Sequence, residues 1–154
     1  MAKTVNPAPV YVIHGTSTKD DDWFGWLEKA AGQLTPPIDV TRLDLPHPFA
    51  PRPQAWQKAI DRQIPITDPT SPIVIVAHSL GCAASLRWIE SHPQLTNVRL
   101  ILVGPFDQPL AGYPMLDAFV TPVFQYERIR TSLKACEVIT AQDDPIAPSR
   151  VSQN

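Results

Sequence analysis

The chain has little with which to bind a polyanion, cross a bilayer or hold a metal. Thirteen Lys and Arg stand against 15 Asp and Glu, a formal net charge of −2. The basic residues do not cluster, so neither a nucleic-acid nor a membrane partner is expected. No apolar run is long enough to span a membrane, and the apolar part of MAKTVNPAPVYVI is too short for a signal peptide. There are only two cysteines, Cys82 and Cys136. Both read as small buried residues in neither a metal nor a redox spacing, which fits a reducing cytoplasm. Neither GxGxxG nor GxxxxGKS/T occurs, which disfavours nucleotide binding. No cofactor is implied.

What is present is a chain of 154 residues, enough for one domain with a real core and too few for two. Its eighteen prolines lie almost entirely between apolar segments, as punctuation. Those segments alternate in type. Pro9 to Ile13, Val40 to Leu45, Ile73 to Val76, Val98 to Val103 and Ala135 to Thr140 read as strands. Helices are expected after Asp20 to Asp22, over Gln54 to Ile64 with Trp56, Ile60 and Ile64 inward, from Cys82 to Ile89, and around Tyr126 to Leu133. In the first helix Trp23, Trp26, Leu27, Ala30, Ala31 and Leu34 follow helical spacing, and the two tryptophans are expected to pack on the sheet, with lining a pocket as the alternative. The stretch from Gln108 to Pro122, rich in proline and aromatic residues, is expected to be irregular and to wall a pocket. Alternating strands and helices predict an α/β fold: a doubly wound, mostly parallel sheet with helices on both faces, in the order 2-1-3-4-5. Its switch point lies between strands 1 and 3, so the His14-Gly15-Thr16 loop should lie beside whatever follows strand 3.

Strand 3 is followed at once by Ala77, His78, Ser79, Leu80 and Gly81, and then by a helix. A strand that turns directly into a helix pushes its apical residue outward and needs small neighbours two places away. Ser79 is at that apex, between Ala77 and Gly81. The pattern is the GxSxG nucleophile elbow of α/β-hydrolases with alanine for the first glycine. The alternative is an ordinary turn serine bonded to backbone amides.

Acyl transfer needs a nucleophile, a base, a group that orients the base, and donors for the oxyanion. Ser79 is the candidate nucleophile, and the backbone N–H groups of Leu80 and Thr16 are the candidate oxyanion donors. The acid should leave a later strand on the same face. Asp144, held extended by Pro145, is the candidate, Asp143 reads better as a helix cap, and Asp107 is the reserve.

The motifs YVIHGT, WFGW, IVAHSLGC, ILVGPFD and ITAQDDPIAP, in this order and spacing, resemble the small single-domain serine hydrolases related to retinoblastoma-binding protein nine and YdeN. The resemblance covers essentially the whole chain. It implies a Ser-Asp-His triad in which Ser79 and Asp144 take part, acting on a small-molecule acyl substrate such as a carboxylic ester. The family's histidine comes after a further helix and strand. None of His14, His47, His78 and His92 matches that position, so residues 1–154 are expected to form one hydrolase domain lacking its final strand and helix. The competing expectation is a pseudohydrolase, a binding module that keeps the crevice without the base.

Overall fold

The computed structural model describes residues 6–21 and 23–142. Five strands form one sheet: β1 (Val10–Ile13), β2 (Val40–Arg42), β3 (Ile73–His78), β4 (Val98–Val103) and β5 (Leu133–Ile139). Their order is β2-β1-β3-β4-β5 and every pairing is parallel, as expected. The helices are α1 (Phe24–Gly32), α2 (Pro53–Gln63), α3 (Leu80–Glu90), a four-residue α4 (Asp117–Val120) and α5 (Tyr126–Arg130). Pro53 starts α2, where its missing N–H costs nothing.

Side chains alternate across the strands, and the two faces are covered differently. Tyr11, Ile13, Ile73, Ile75, Ala77, Val98, Leu100 and Leu102 belong to a large core shared with α2, α3 and the segment 106–129. Trp56, Ile60 and Ile64 of the α2 region are fully buried there, as their spacing predicts. On the other face a smaller cluster joins Val12 and Val76 to Phe24 of α1. α3 is buried nearly all round, so its four spaced apolar residues are only part of its contact.

Several expectations are corrected. Trp26 does not pack on the sheet; it is 69% exposed, and Leu34 is exposed too. Phe24 takes the inward place, because the helix begins there and its inward side carries buried Phe24 and Ala31 with Leu27 partly buried between them. β2 ends at Arg42, whose guanidinium leaves the strand to pair with Glu28 of α1 at 2.8 Å. α5 ends at Arg130, and β5 starts two residues early with Lys134 as an extra residue opposite the Val98–Arg99 step, a bulge. Cys136 is exposed, not buried, because β5 is an edge strand with its side chains open on both faces. The stretch 108–122 is not wholly irregular: a 3₁₀ turn, Pro114–Leu116, runs into α4. Its Phe119 is a core residue, edge-on to Trp56 at 5.4 Å.

That stretch is strapped to α3. Arg87 donates to the carbonyls of Pro122 at 2.6 Å and Phe119 at 3.3 Å, lies 4.1 Å over the Phe124 ring, and pairs with Glu90 at 3.0 Å. Glu90 in turn accepts the Gln125 N–H at 2.8 Å.

Candidate active site at the β3–α3 turn

Ser79 caps α3 with φ 54° and ψ −119°. These are the angles of the first central residue of a type II′ turn, a place glycine usually takes. A serine there stores strain of about 1–3 kcal/mol. The conformation is held from both sides. The Ser79 N–H donates to the Val103 carbonyl of β4 at 2.9 Å, and its carbonyl accepts the Cys82 N–H at 2.9 Å. Beneath, a Cβ on Gly81 would collide with the Ile13 carbonyl oxygen and lie 2.6 Å from that of His14. The helix can start this close to β1 only because residue 81 has no side chain.

Gly15 makes the second close approach. A Cβ there would lie 3.0 Å from both the Ser79 Cβ and the His78 carbonyl oxygen, and 3.3 Å from the Leu80 nitrogen. The loop after β1 therefore lies directly against the elbow, with Gly15 beside residues 78 to 80. Gly15 was not singled out from sequence. The signal for it was a glycine at the end of a buried strand next to the switch point, where backbones must approach.

The histidines are spread over the molecule. His14 is buried, and the Leu45 N–H donates to its Nε2 at 3.0 Å. The remaining ring proton is therefore on Nδ1, which donates to the Gly15 carbonyl at 2.9 Å. Burial holds its pKa below the ordinary imidazole value, against the opposing pull of its bond to Gly15 and of Asp44 and Asp21. His78 turns to the α1 face, edge-on to Trp23 and Phe24 with ring centres 5.9 and 6.0 Å away. His47 is exposed in the loop after β2, at φ 49°. His92 follows the far end of α3, about 16 Å along the axis; it meets the Trp88 carbonyl at 2.6 Å and Asp61 at 3.0 Å.

Asp107, the reserve acid, is half-buried after β4 and accepts the Tyr126 hydroxyl at 2.7 Å. Burial and that bond both push the tyrosine pKa up. Tyr126 was not foreseen as its partner, and nothing in the spacing of residues 107 and 126 signals the pair. Asp143 and Asp144 lie outside the described residues. Cys82 is buried behind the elbow, its thiol 3.4 Å from the Ala77 carbonyl, and burial raises its pKa strongly, so it is not a competing nucleophile. No group of His, Cys, Asp and Glu that could hold a metal exists among the described residues, and no helix among them is long and apolar enough to cross a membrane.

The family profile described as serine hydrolase matches residues 10–154. The chain belongs to the serine hydrolase family. This hydrolase is similar to YdeN of Bacillus subtilis (strain 168), a protein assigned as a hydrolase: 36% of 149 residues are identical, over 94% of this chain and 75% of YdeN. The crystal structure of the B. subtilis ydeN gene product superposes with a TM-score of 0.82 at 31% identity, covering 96% of this chain and 78% of that one. A structure of the N-formylmaleamic acid deformylase Nfo from Pseudomonas putida, at 12% identity and a TM-score of 0.55, covers 96% of this chain and 79% of its own. At that identity it speaks to the fold alone, which is that of the α/β-hydrolases.

Proposed function

We propose that this hydrolase cleaves a carboxylic ester or related acyl bond of a small molecule through Ser79, in the cytoplasm and without a cofactor. The observation that carries the reading is the strained backbone of Ser79, which lifts a hydroxyl from a turn that glycine would hold more easily. The Ser79 oxygen attacks the acyl carbon while its proton passes to a histidine base. The N–H groups of Leu80 and Thr16 receive the oxyanion, collapse expels the alcohol with that proton, and water then releases the acid from the acyl-enzyme. Asp144 orients the base.

His14 and His92 have both ring nitrogens engaged by the protein, His78 turns to the α1 face, and His47 is exposed in the loop after β2. None of the four is therefore assigned as the base, which falls instead to a histidine of the further strand and helix that the resemblance to the family implies. The open edge of β5 supports a domain in which a further strand and helix follow it. The same spread of histidines favours a second reading, a pseudohydrolase that keeps the crevice without the base.

A fluorophosphonate probe separates the two. A form of the protein that includes the further strand and helix is expected to be labelled at Ser79 and to lose the label in Ser79→Ala, while residues 1–154 alone react very slowly. Losing the base costs on the order of 10⁶-fold. Labelling that survives Ser79→Ala overturns the assignment of the nucleophile, and absence of labelling in both forms leaves the pseudohydrolase.

A further inference from the structure

We infer that His14 is a positioning residue that aims the Thr16 N–H at the reacting carbonyl by pinning the Gly15–Thr16 peptide from behind. The inference rests on the hydrolase reading, which assigns Thr16 as an oxyanion donor.

It starts from the planarity of the peptide group. The Gly15 carbonyl and the Thr16 N–H belong to one trans unit, so they point in opposite directions, and whatever fixes the carbonyl fixes the N–H. The carbonyl is fixed by a buried imidazole, His14 Nδ1, at 2.9 Å. The imidazole is itself immobilised. The Leu45 N–H, at the end of the segment after β2, donates to Nε2 at 3.0 Å, and Trp56 of α2 stands edge-on with ring centres 5.6 Å apart.

The Leu45 bond does more than hold the ring. It obliges Nε2 to accept, which forces the proton onto Nδ1 and makes that nitrogen a donor toward Gly15. The chain of constraint runs from α2 and the β2 end, through the imidazole, to a peptide that faces the elbow. Gly15 itself has no side chain with which to supply this rigidity, and its backbone conformation is intrinsically permissive. A loop with a glycine at its turning point would otherwise be free to flip that peptide and present a carbonyl oxygen to the oxyanion.

The test uses two replacements that divide the two bonds. The amide nitrogen of asparagine can take the place of Nδ1, so His14→Asn keeps the donor to Gly15 and loses the Leu45 contact. Glutamine reaches further and its oxygen can take the place of Nε2, so His14→Gln keeps the Leu45 contact and loses the donor to Gly15. Both remove one hydrogen bond and should lower the melting temperature by similar amounts. In the form labelled at Ser79, His14→Gln is expected to lose roughly 10²-fold in kcat with KM changed less than about threefold, as removal of an oxyanion donor does. His14→Asn should stay within about fivefold of the parent. Independently of any activity, ¹⁵N relaxation dispersion should show microsecond-to-millisecond exchange at the Thr16 amide in His14→Gln and not in His14→Asn. Equal kcat losses that follow the melting temperatures, or a quiet Thr16 amide in His14→Gln, overturn the inference. Exchange at Thr16 in a protein that no probe labels would leave the pinned peptide standing and remove the hydrolase reading instead.

Discussion

On one face of the sheet Ile13, Ile75, Leu100 and Leu102 pass beneath α2, α3 and the strapped segment 106–129, and the packing runs without interruption from Tyr11 to Ile129. On the other, Val12 and Val76 have Phe24 above them, while Ile101, Val103 and Ile139 join Trp23, Trp26 and Leu27 around a hollow of about 360 Å³. The turn at Ser79 and the residues that support it hang from the covered face. α3 rises from Ser79 on that side, Gly81 lies against the carbonyls of β1, and His14 reaches α2 and the β2 end. The strain at Ser79 can persist only where the surroundings determine the backbone several times over, and the covered face supplies that. The open face meets the elbow through His78 and its aromatic neighbours.

The largest expected effect tests whether the site also depends on the less enclosed end of the sheet, beyond β5. Asp144→Asn should lower kcat for ester hydrolysis by on the order of 10⁴-fold in a labelled form of the protein, whereas Asp143→Asn should change it little. Equal losses would mean that the two carboxylates act together or that the wrong one has been chosen. A loss in Asp107→Asn comparable to that expected for Asp144→Asn would move the acid to the end of β4, where Tyr126 holds it.

The contrast between the faces also explains what was readable from sequence. The order 2-1-3-4-5, the strand before Ser79 and the inward face of α2 were legible because a buried parallel strand is a run of apolar residues and a half-buried helix carries a period. The elbow was legible because its steric demand falls on residues 77 and 81, close in the chain. Trp26 and Cys136 were misread for one reason. Apolar type predicts burial only where another element arrives to cover it, and among the described residues none covers β5 or that side of α1. The His14–Leu45 and Asp107–Tyr126 bonds join residues far apart in sequence by single polar contacts, which leave no periodic trace.

A smaller effect compares the faces directly. Trp56 is fully buried, donates to the Pro46 carbonyl at 2.8 Å and touches the rings of His14 and Phe119, so Trp56→Ala should cost about 3–5 kcal/mol in urea denaturation. Trp26→Ala should stay within about 0.5 kcal/mol. A cost well above that for Trp26 in a longer form of the protein would show that something covers the open face there.

The smallest concerns pH and belongs to the covered face alone. Burial lowers the pKa of His14 in the folded protein, so below about 6.5, the usual imidazole value, the unfolded chain takes up a proton that the folded one refuses. This contribution to stability is complete above that pH and declines as the pH falls toward the depressed folded value. Urea midpoints measured from pH 8 downward should therefore fall more steeply for the parent than for His14→Asn, which has nothing to titrate there. Parallel slopes would mean that the ring is less sequestered than its contacts indicate.

The backbone of Ser79 has a bearing on how this protein can change over time. At φ 54° and ψ −119° a glycine would rest without strain, so the most accessible stabilising change at the turn is also the one that would delete the proposed nucleophile. Selection for a sturdier chain and selection for turnover pull position 79 in opposite directions. A lineage released from the need to hydrolyse anything would be expected to drift to glycine there early, which makes the retained serine a more telling record of use than any residue packed in the core.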